Sequence, residues 1–229
     1  MKFDGHSHTF YSKDAGTSPK VHVKTAKSLG LVMAVTDHNT TASWQKMKEY
    51  GKMYSQPVVF GEEIKIERNG KVIGELIGLF MNSEIKQGQL HEVYGSLKEQ
   101  GAIIVIPHPF DTYRKPLLKN LEEKERIEIA KKADAIEGFN ARCYLSSYNK
   151  TSQEFASSNS LPVTAGSDAH FPGEIGNAWI DADCTDTEEL RKIIPGSKKI
   201  NGKKSSYFWH FMTHVAKLQK KMGLFHYDY

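Results

Sequence analysis

The first predicted strand, residues 1–6, runs into the polar stretch Asp4-Gly5-His6-Ser7-His8-Thr9. Alternate residues of a strand point to the same face, so His6 and His8 can present two imidazoles to one ion. A single His-x-His pair is weak evidence for a metal site. Its weight depends on how the other strands of the chain end.

Four more apolar runs of strand type lead into histidine or carboxylate residues. They lead into Val35-Thr36-Asp37-His38-Asn39, Gly61-Glu62-Glu63-Ile64, Pro107-His108-Pro109 and Gly166-Ser167-Asp168-Ala169-His170. Imidazole and carboxylate ligands together suit Zn²⁺, Mn²⁺ or Fe, and several carboxylates suit more than one ion. The five clusters together therefore predict a metal site.

Between these clusters, strands alternate with helices in units of roughly 30 residues. Helices are predicted over residues 19–29, 41–54, 88–100, 119–132 and 147–159, and a capping box of Thr185 and Glu188 predicts another. Asn69-Gly70 predicts a hairpin between residues 64–67 and 72–80. This pattern indicates a parallel α/β fold of barrel type, in which the loops after the strands converge on one face. We expect one catalytic domain over residues 1–195 and a C-terminal extension over 196–229.

The composition excludes several classes of protein. In a chain of 229 residues, 39% hydrophobic and 25% charged residues are ordinary for a globular protein and exclude a disordered or fibrous one. The net charge of +4 permits an anionic substrate without demanding nucleic acid. Cys143 and Cys184 give no disulfide framework, and no run of about 18 apolar residues occurs. We therefore expect a soluble, cytoplasmic protein without a membrane span.

The five clusters resemble, in content and order, the motifs of the polymerase-and-histidinol-phosphatase (PHP) domain. Its pattern is D-x-H-x-H-T, then T-D-H, G-x-E-I, H-P and S-D-x-H, and this chain carries all five between residues 3 and 171. The resemblance extends to about residue 195. It implies a distorted (β/α)7 barrel with three divalent metal ions at the C-terminal ends of the strands.

The resemblance also implies which side chains hold the ions. The first ion would be bound by His6, His8, Glu63 and Asp168, the second by Glu63, His108 and Glu75, and the third by Asp14, His38 and His170. Glu63 would bridge the first ion and the second.

Two of these positions depart from the family pattern. The run Ser12-Lys13-Asp14-Ala15-Gly16 replaces S-D-G, and Asp14 takes the acidic role in it. Glu75 stands where many members carry a histidine, and a surface glutamate in a hairpin is the alternative interpretation. A carboxylate ligand there would favour Mn²⁺ or Fe over Zn²⁺.

A cluster of dications with an excess of positive charge suits a phosphate monoester. Paired ions ionise a bound water and stabilise the oxygens of the transition state, so we expect attack by a metal-bridging hydroxide. Glu63, Asp168 and Asp37 are the candidate catalytic residues. Asp37 is expected to orient His38 or another ligand histidine.

Three further residues are candidates for binding the substrate. Arg142 and Arg114 follow predicted strand ends, and arginine binds phosphate with two parallel hydrogen bonds. An ordinary surface position is the alternative for each. Asn140 is expected to contact the substrate or a metal ligand, or to cap the next helix.

The segment after residue 196 has an apolar stripe at helical spacing, formed by Phe208, Phe211, Met212, Val215, Leu218 and Met222. We expect a helix that packs on the barrel or on a neighbouring subunit, and a membrane-surface helix is the alternative. His22, on a predicted helix among lysines, is expected to be solvated.

The favoured function is metal-dependent hydrolysis of a small phosphorylated metabolite or nucleotide. An exonuclease acting on short oligonucleotides would use the same chemistry, but the predicted helix at 119–132 mixes both charges and gives no basic stripe. A metal-binding regulatory module without turnover is the third hypothesis, and the near-complete ligand set argues against it. The sequence leaves the substrate, the metal and the oligomeric state open.

Overall fold

In the computed structural model, which describes residues 1–224, a mixed sheet of ten strands curls around an apolar interior. The strands are β1 Lys2–Asp4, β2 Leu31–Val35, β3 Val58–Arg68, β4 Lys71–Leu79, β5 Gly88–Gln89, β6 Ile103–Ile106, β7 Ala135–Asn140, β8 Val163–Gly166, β9 Ala178–Asp181 and β10 Ile200–Gly202. The helices are α1 Pro19–Leu29, α2 Trp44–Met53, α3 Leu90–Glu99, α4 Glu123–Lys132, α5 Ser146–Ser158, α6 Thr187–Ile193 and α7 Tyr207–Lys221.

The strand order is β10-β9-β1-β2-β3-β4-β6-β7-β8, with β5 beside β3. Strands β1, β2 and β3 are parallel, as are β6, β7 and β8. The turn at Asn69 and Gly70, where φ is +52° and +70°, reverses the chain so that β4 runs antiparallel to both β3 and β6. The predicted α/β barrel fold is confirmed, but its sheet is mixed rather than parallel, because a hairpin replaces one crossover helix and because β9 runs antiparallel to β1 and β10.

The chain beyond β1 meets the edge strand β8 and the loop that follows it, beside the polar clusters. Beyond β1, the amide of Gly5 donates to the carbonyl of Ala165 (3.0 Å), and the amide of His8 donates to that of Ala169 (2.8 Å). In the opposite direction, the amide of Asp168 donates to the carbonyl of His6 (2.7 Å). These bonds nearly close the barrel and place the loop after β1 against the loop after β8.

Two apolar clusters stabilise the barrel from the opposite faces of its strands. Ile104 and Ile106 belong to the cluster that includes Leu97 of α3, whereas Val105, between them, belongs to the cluster that includes Phe3. Successive side chains of a strand point to opposite faces, so β6 is buried on both of its faces. The core thus leaves the C-terminal ends of the strands free to carry polar side chains.

Some predicted elements differ from the observed ones. β3 is one continuous strand across Val58–Arg68, where the sequence predicts two separate runs. The N-cap of α6 is Asp186, whose carboxylate accepts from the amide of Glu189 (2.8 Å), because Thr185 instead donates its hydroxyl to the Glu189 side chain (3.1 Å). The prediction that His22 is solvated is wrong: the ring is buried, and its Nε2 lies 2.7 Å from the hydroxyl of Ser7.

The segment after residue 196 joins the barrel. β10 pairs antiparallel with β9, and α7 packs on the loops that follow the strands, where the Trp209 ring stacks on Phe171 with centroids 5.5 Å apart. The boundary at residue 195 stays a prediction, and residues 225–229 of the extension lie outside the described residues. Within residues 1–224, no helix combines the length and hydrophobicity needed to cross a bilayer.

We predict that Gly74→Ala destabilises the protein whereas Gly95→Ala does not. A Cβ at Gly74 in β4 would lie 2.6 Å from the Cα of Leu117, a backbone atom that cannot rotate away. The free energy of unfolding should fall by about 1–3 kcal/mol, the usual cost of overpacking.

Gly95 is the matched control, since no atom lies within 4 Å of a Cβ added to this α3 residue. Its replacement by alanine should leave stability unchanged or raise it by up to about 1 kcal/mol. Urea denaturation of both variants measures the difference, and equal stabilities would contradict this account of the β4 packing.

Candidate metal centre

The carboxylate of Glu63 lies among four imidazoles and is fully buried. Its Oε1 is 3.0 Å from Nε2 of His108. Its Oε2 is 2.7 Å from Nδ1 of His38 and 3.5 Å from Nε2 of both His6 and His8. Because each oxygen faces different histidines, this one side chain could contact two cations at once.

Asp168 presents one oxygen to the other side of the same group. Its Oδ1 lies 3.3 Å from Nε2 of His8, 3.5 Å from Nδ1 of His170 and 3.7 Å from Nε2 of His6. Asp168 and His108 adopt φ values of +53° and +29°, in or near the left-handed region that non-glycine residues rarely occupy. Backbone strain of this kind is concentrated at functional sites.

The two positions that depart from the family pattern also join the cluster. Asp14 Oδ1 lies 3.5 Å from Nε2 of both His38 and His170. Glu75, on β4, places Oε2 3.6 Å from Nε2 of His108. The structure therefore gathers all of the predicted ligand residues at one mouth of the barrel.

The cluster has the features of a site for divalent cations. His6 and His8 direct their Nε2 atoms at each other across 3.0 Å, and two lone pairs can face each other there only with a proton or a cation between them. Oε2 of Glu63, Oδ1 of Asp168 and Oδ1 of Asp14 are buried without a partner in hydrogen-bond geometry. Potential ligand atoms lie within 4.8 Å of one another in three overlapping groups: His6-His8-Glu63, His8-His38-His170 and His38-Glu63-Glu75.

The electrostatics of the cluster also favour cations. Burial alone would lower the pKa of His38, but the carboxylates of Glu63 and Asp14 raise it to about 10. Burial opposes a charged His6 as well, yet Asp168, Glu137 and Glu63 raise its pKa well above the ordinary value. The carboxylates thus stabilise the protonated form of these imidazoles. Divalent ions would supply the same neutralising positive charge.

The chain is similar to several known proteins. A family model described as PHP-associated matches residues 146–194. The uncharacterised protein MJ0417 of Methanocaldococcus jannaschii is 34% identical over 181 residues, which cover 79% of this chain and 70% of that protein. A two-domain protein of Bacteroides vulgatus that contains a predicted PHP-like metal-dependent phosphoesterase superimposes with a TM-score of 0.73, over 94% of this chain and 69% of that one. The chain belongs to the PHP superfamily.

A second solved structure with the same fold is described as an inferred metal-dependent phosphoesterase of Bifidobacterium adolescentis. It has a TM-score of 0.62 over 86% of this chain and 96% of that one. Sequence identity is only 16% for the Bacteroides structure and 18% for this one, so both show the barrel fold and nothing finer.

Glu137 is a site residue that sequence reasoning missed in this PHP chain. Its Oε1 lies 2.8 Å from Nδ1 of His6, and its Oε2 accepts from the backbone amide of His108 (2.7 Å) and the side-chain amide of Asn140 (2.9 Å). The carboxylate therefore fixes the ring of one predicted ligand and the backbone of another. The signal in the sequence is a lone acidic residue within the apolar strand β7.

Asp37 holds the loop after β1 rather than facing the cluster. Its carboxylate accepts from the amide and hydroxyl of Thr9 (both 2.7 Å) and from the hydroxyls of Ser12 and Ser43 (both 2.6 Å). Ser12 Oγ in turn lies 3.3 Å from Nδ1 of His8, so Asp37 reaches a predicted ligand through Ser12. The sequence predicts that Asp37 orients His38 or another ligand histidine; in the described chain no hydrogen bond from His38 to Asp37 is recorded, and the histidine it reaches is His8.

The three predicted substrate-binding residues differ in what they contact. Arg114 lines the cavity and pairs with Oδ2 of Asp168, to which Asn140 also donates (3.0 Å). Arg142 is almost fully buried, and its terminal nitrogens bond to Glu174 (2.8 Å) and to Thr213. Arg142 and Asn140 thus already have protein partners, and their contact with substrate stays a prediction.

A cavity of about 820 Å³ opens onto the cluster. Its wall contains Asp14, His38, Glu75 and His170 of the predicted ligands, together with Arg114 and side chains of α7. A volume of this order suits a small molecule.

We predict that Glu137→Gln weakens metal binding by about 10–100-fold, the usual effect of removing a partner that orients ligands. The amide offers one acceptor oxygen, so it cannot accept from both His6 and the His108 amide. Calorimetric titration with Mn²⁺ measures the affinity.

Glu62→Gln is the control, because Glu62 is as deeply buried as Glu137, and within residues 1–224 its one recorded hydrogen bond comes from the amide of Ile85 (2.9 Å). It should bind Mn²⁺ as the wild type does. An unchanged affinity in Glu137→Gln would show that this carboxylate does not position the ligands.

Proposed function

We propose that this protein is a metal-dependent phosphoesterase that hydrolyses phosphomonoesters of small metabolites or nucleotides. The observation that carries the proposal is the convergence of the predicted ligands at the base of an open cavity, with a guanidinium beside them. Membership of the PHP superfamily, and the phosphoesterase descriptions of two proteins with the same fold, support the reaction class.

The donor set supports three divalent ions, with Mn²⁺ or Fe favoured over Zn²⁺. His6, His8, Glu63 and Asp168 would hold the first ion, Glu63, His108 and Glu75 the second, and Asp14, His38 and His170 the third. The first and second sets contain two carboxylates each and the third contains one, and carboxylate ligands favour the harder ions. When bound, such ions activate a water nucleophile and stabilise charge on the phosphoryl oxygens.

Arg114 is the side chain best placed to bind the phosphate. Its side chain is 18% exposed, lines the cavity and is anchored by Asp168, so part of its guanidinium group faces the cavity. Its charge would bind a phosphoryl oxygen through directional hydrogen bonds, and Asp168 would keep the fork in place. Asn140 holds the same oxygen of Asp168, which restricts the carboxylate to one orientation.

The walls of the cavity support an anionic substrate. Lys13, Lys65 and Lys115 line it, and no ion pair is recorded for any of the three within residues 1–224. Unpaired ammonium groups around a pocket attract anions and raise their local concentration. A phosphomonoester dianion is the small substrate that best matches both the pocket volume and this charge.

An exonuclease acting on short oligonucleotides is the second candidate. The rings of Tyr113 and Tyr144, which line the same cavity, are stacked with centroids 4.5 Å apart, and Tyr113 is largely exposed. Exposed aromatic rings beside lysines can stack successive bases. Release of mononucleotides from an end-labelled oligonucleotide, faster than release of phosphate from monoesters, would favour this function.

We also propose that the protein works in a reducing, cytoplasmic compartment. Cys143 is buried and Cys184 half-buried, and neither forms a disulfide in the part of the chain described. Free thiols in a folded protein are typical of such compartments.

We predict that chelation abolishes the activity and that Mn²⁺ restores it. The purified protein is tested against a panel of phosphomonoesters before and after removal of metal, with phosphate release as the readout. Circular dichroism checks that the chelated protein stays folded. Absence of phosphate release with every divalent metal would refute the phosphomonoesterase proposal.

We predict that Arg114→Gln lowers kcat/KM for phosphomonoesters by roughly 100-fold while metal content is kept, because a charged contact to the phosphoryl group is lost. Arg114→Lys should restore part of the loss, since it keeps the charge without the fork. Arg68→Gln, which removes an exposed arginine paired with Glu125, is the control. Equal kcat/KM in Arg114→Gln and wild type would exclude Arg114 from phosphate binding.

A further inference from the structure

One lysine of helix α7, Lys220, binds the backbone of the loop that carries Asp14. The Nζ of Lys220 donates to the backbone carbonyls of Phe10 (2.6 Å), Ser12 (2.5 Å) and Ala15 (2.7 Å). An ammonium group has three protons, so these carbonyls match its donors in number. The loop has no regular secondary structure across these residues. Lys220 therefore links carbonyl groups from separate parts of the loop through one ammonium group.

A second lysine of α7 contacts Asp14 itself. The Nζ of Lys217 lies 3.3 Å from Oδ2 of Asp14, while Oδ1 lies 3.5 Å from Nε2 of both His38 and His170. Oδ1 is buried and has no hydrogen-bond partner in the described chain. The two oxygens therefore have different surroundings: α7 holds one, and the other points at the imidazole pair.

A third link runs from α7 to His170. The hydroxyl of Thr213 accepts from Nη2 of Arg142 (2.7 Å), and Nη1 of Arg142 pairs with Glu174 (2.8 Å). Oε2 of Glu174 then accepts from the backbone amides of His170 (3.1 Å) and Phe171 (3.2 Å). All of these groups are buried, so each bond is protected from water.

The three links end on the same part of the cluster. They reach Asp14 and the backbone of His170, whereas the recorded hydrogen bonds and ion pairs of His6, Glu63 and His108 involve no residue of α7. We propose that α7 is a positioning element for the third ligand set, Asp14, His38 and His170, and that Lys217 and Lys220 hold Asp14 with Oδ1 directed at the ion. This inference rests on the metal site of the proposed function.

The test is the binding of Mn²⁺ alone to full-length Lys217→Met, Lys220→Met and Thr213→Val proteins, by equilibrium dialysis with elemental analysis. One ion should bind about 10–100-fold more weakly in the Lys217→Met and Lys220→Met variants, and the others should bind as in the wild type. Thr213→Val should weaken the same ion. Lys221→Met is the control, since Lys221 is an exposed residue of the same helix with no recorded ion pair.

The direction of the change in Mn²⁺ affinity distinguishes the positioning of Asp14 from a direct effect of the lysine charge. Loss of the Lys217 charge by itself would strengthen the binding of a cation, so weaker binding of one ion by a protein that keeps its melting temperature indicates a displaced Asp14. Lys217→Arg, which keeps the contact, should restore the affinity. Thermal melting of each variant shows whether the fold is kept.

Two results would overturn the inference while leaving the proposed function intact. One is wild-type binding of every ion by Lys217→Met and Lys220→Met proteins. The other is equal weakening of all ions together with a lower melting temperature, which would mark α7 as a general structural support. A wild-type protein that binds no Mn²⁺ would instead refute the metal site itself, and this inference with it.

Discussion

The burial of the Glu63 carboxylate among imidazoles is the interaction on which the site depends. A buried carboxylate costs free energy unless charged or hydrogen-bonding partners surround it. Its partners come from separate elements: His6 and His8 follow β1, His38 follows β2 and His108 follows β6. Only a sheet that curls until its strand ends converge can bring these side chains to one carboxylate, so the chemistry of the cluster requires the barrel.

The closure of the barrel imposes a second constraint, at Gly166. A Cβ at this position would lie 2.3 Å from Cβ of His6 and 2.3 Å from Oε1 of Glu137. Glycine is therefore required where β8 passes between a predicted ligand and the carboxylate that orients it. This constraint explains why the S-D-x-H motif follows directly after a glycine. The end of β8 must approach β1 closely before Asp168 can face the candidate metal ligands.

The convergence of the candidate ligand side chains could be predicted from the sequence because their positions follow from strand ends. His38 and His108 come directly after strands, and Asn69-Gly70 specifies its turn through backbone conformation alone. Glu137 could not be found in this way, because its role depends on which residues lie beside β7 in the barrel. The same holds for His22: a histidine among lysines resembles a solvated residue until the fold places Ser7 against it.

The position of α7 is the largest feature that the sequence could not predict. Its apolar stripe indicates a packed helix, but Phe208, Phe211, Leu218 and Met222 are more than half exposed in the described chain. Apart from the stacking of Trp209 on Phe171, the contacts described for the helix are polar, and a polar contact between residues about 200 positions apart leaves no periodic signal.

The ligand sets therefore differ in what holds them. His6 and the backbone of His108 are held by Glu137, which lies on a strand of the barrel, so the hydrophobic core fixes them indirectly. Asp14 lies on a loop, where no sheet ladder restrains the backbone, and a carboxylate there loses its orientation unless another element supplies it. The strands of the barrel thus restrain His6 and His108, while the orientation of Asp14 depends on what packs over its loop; in this chain α7 packs there.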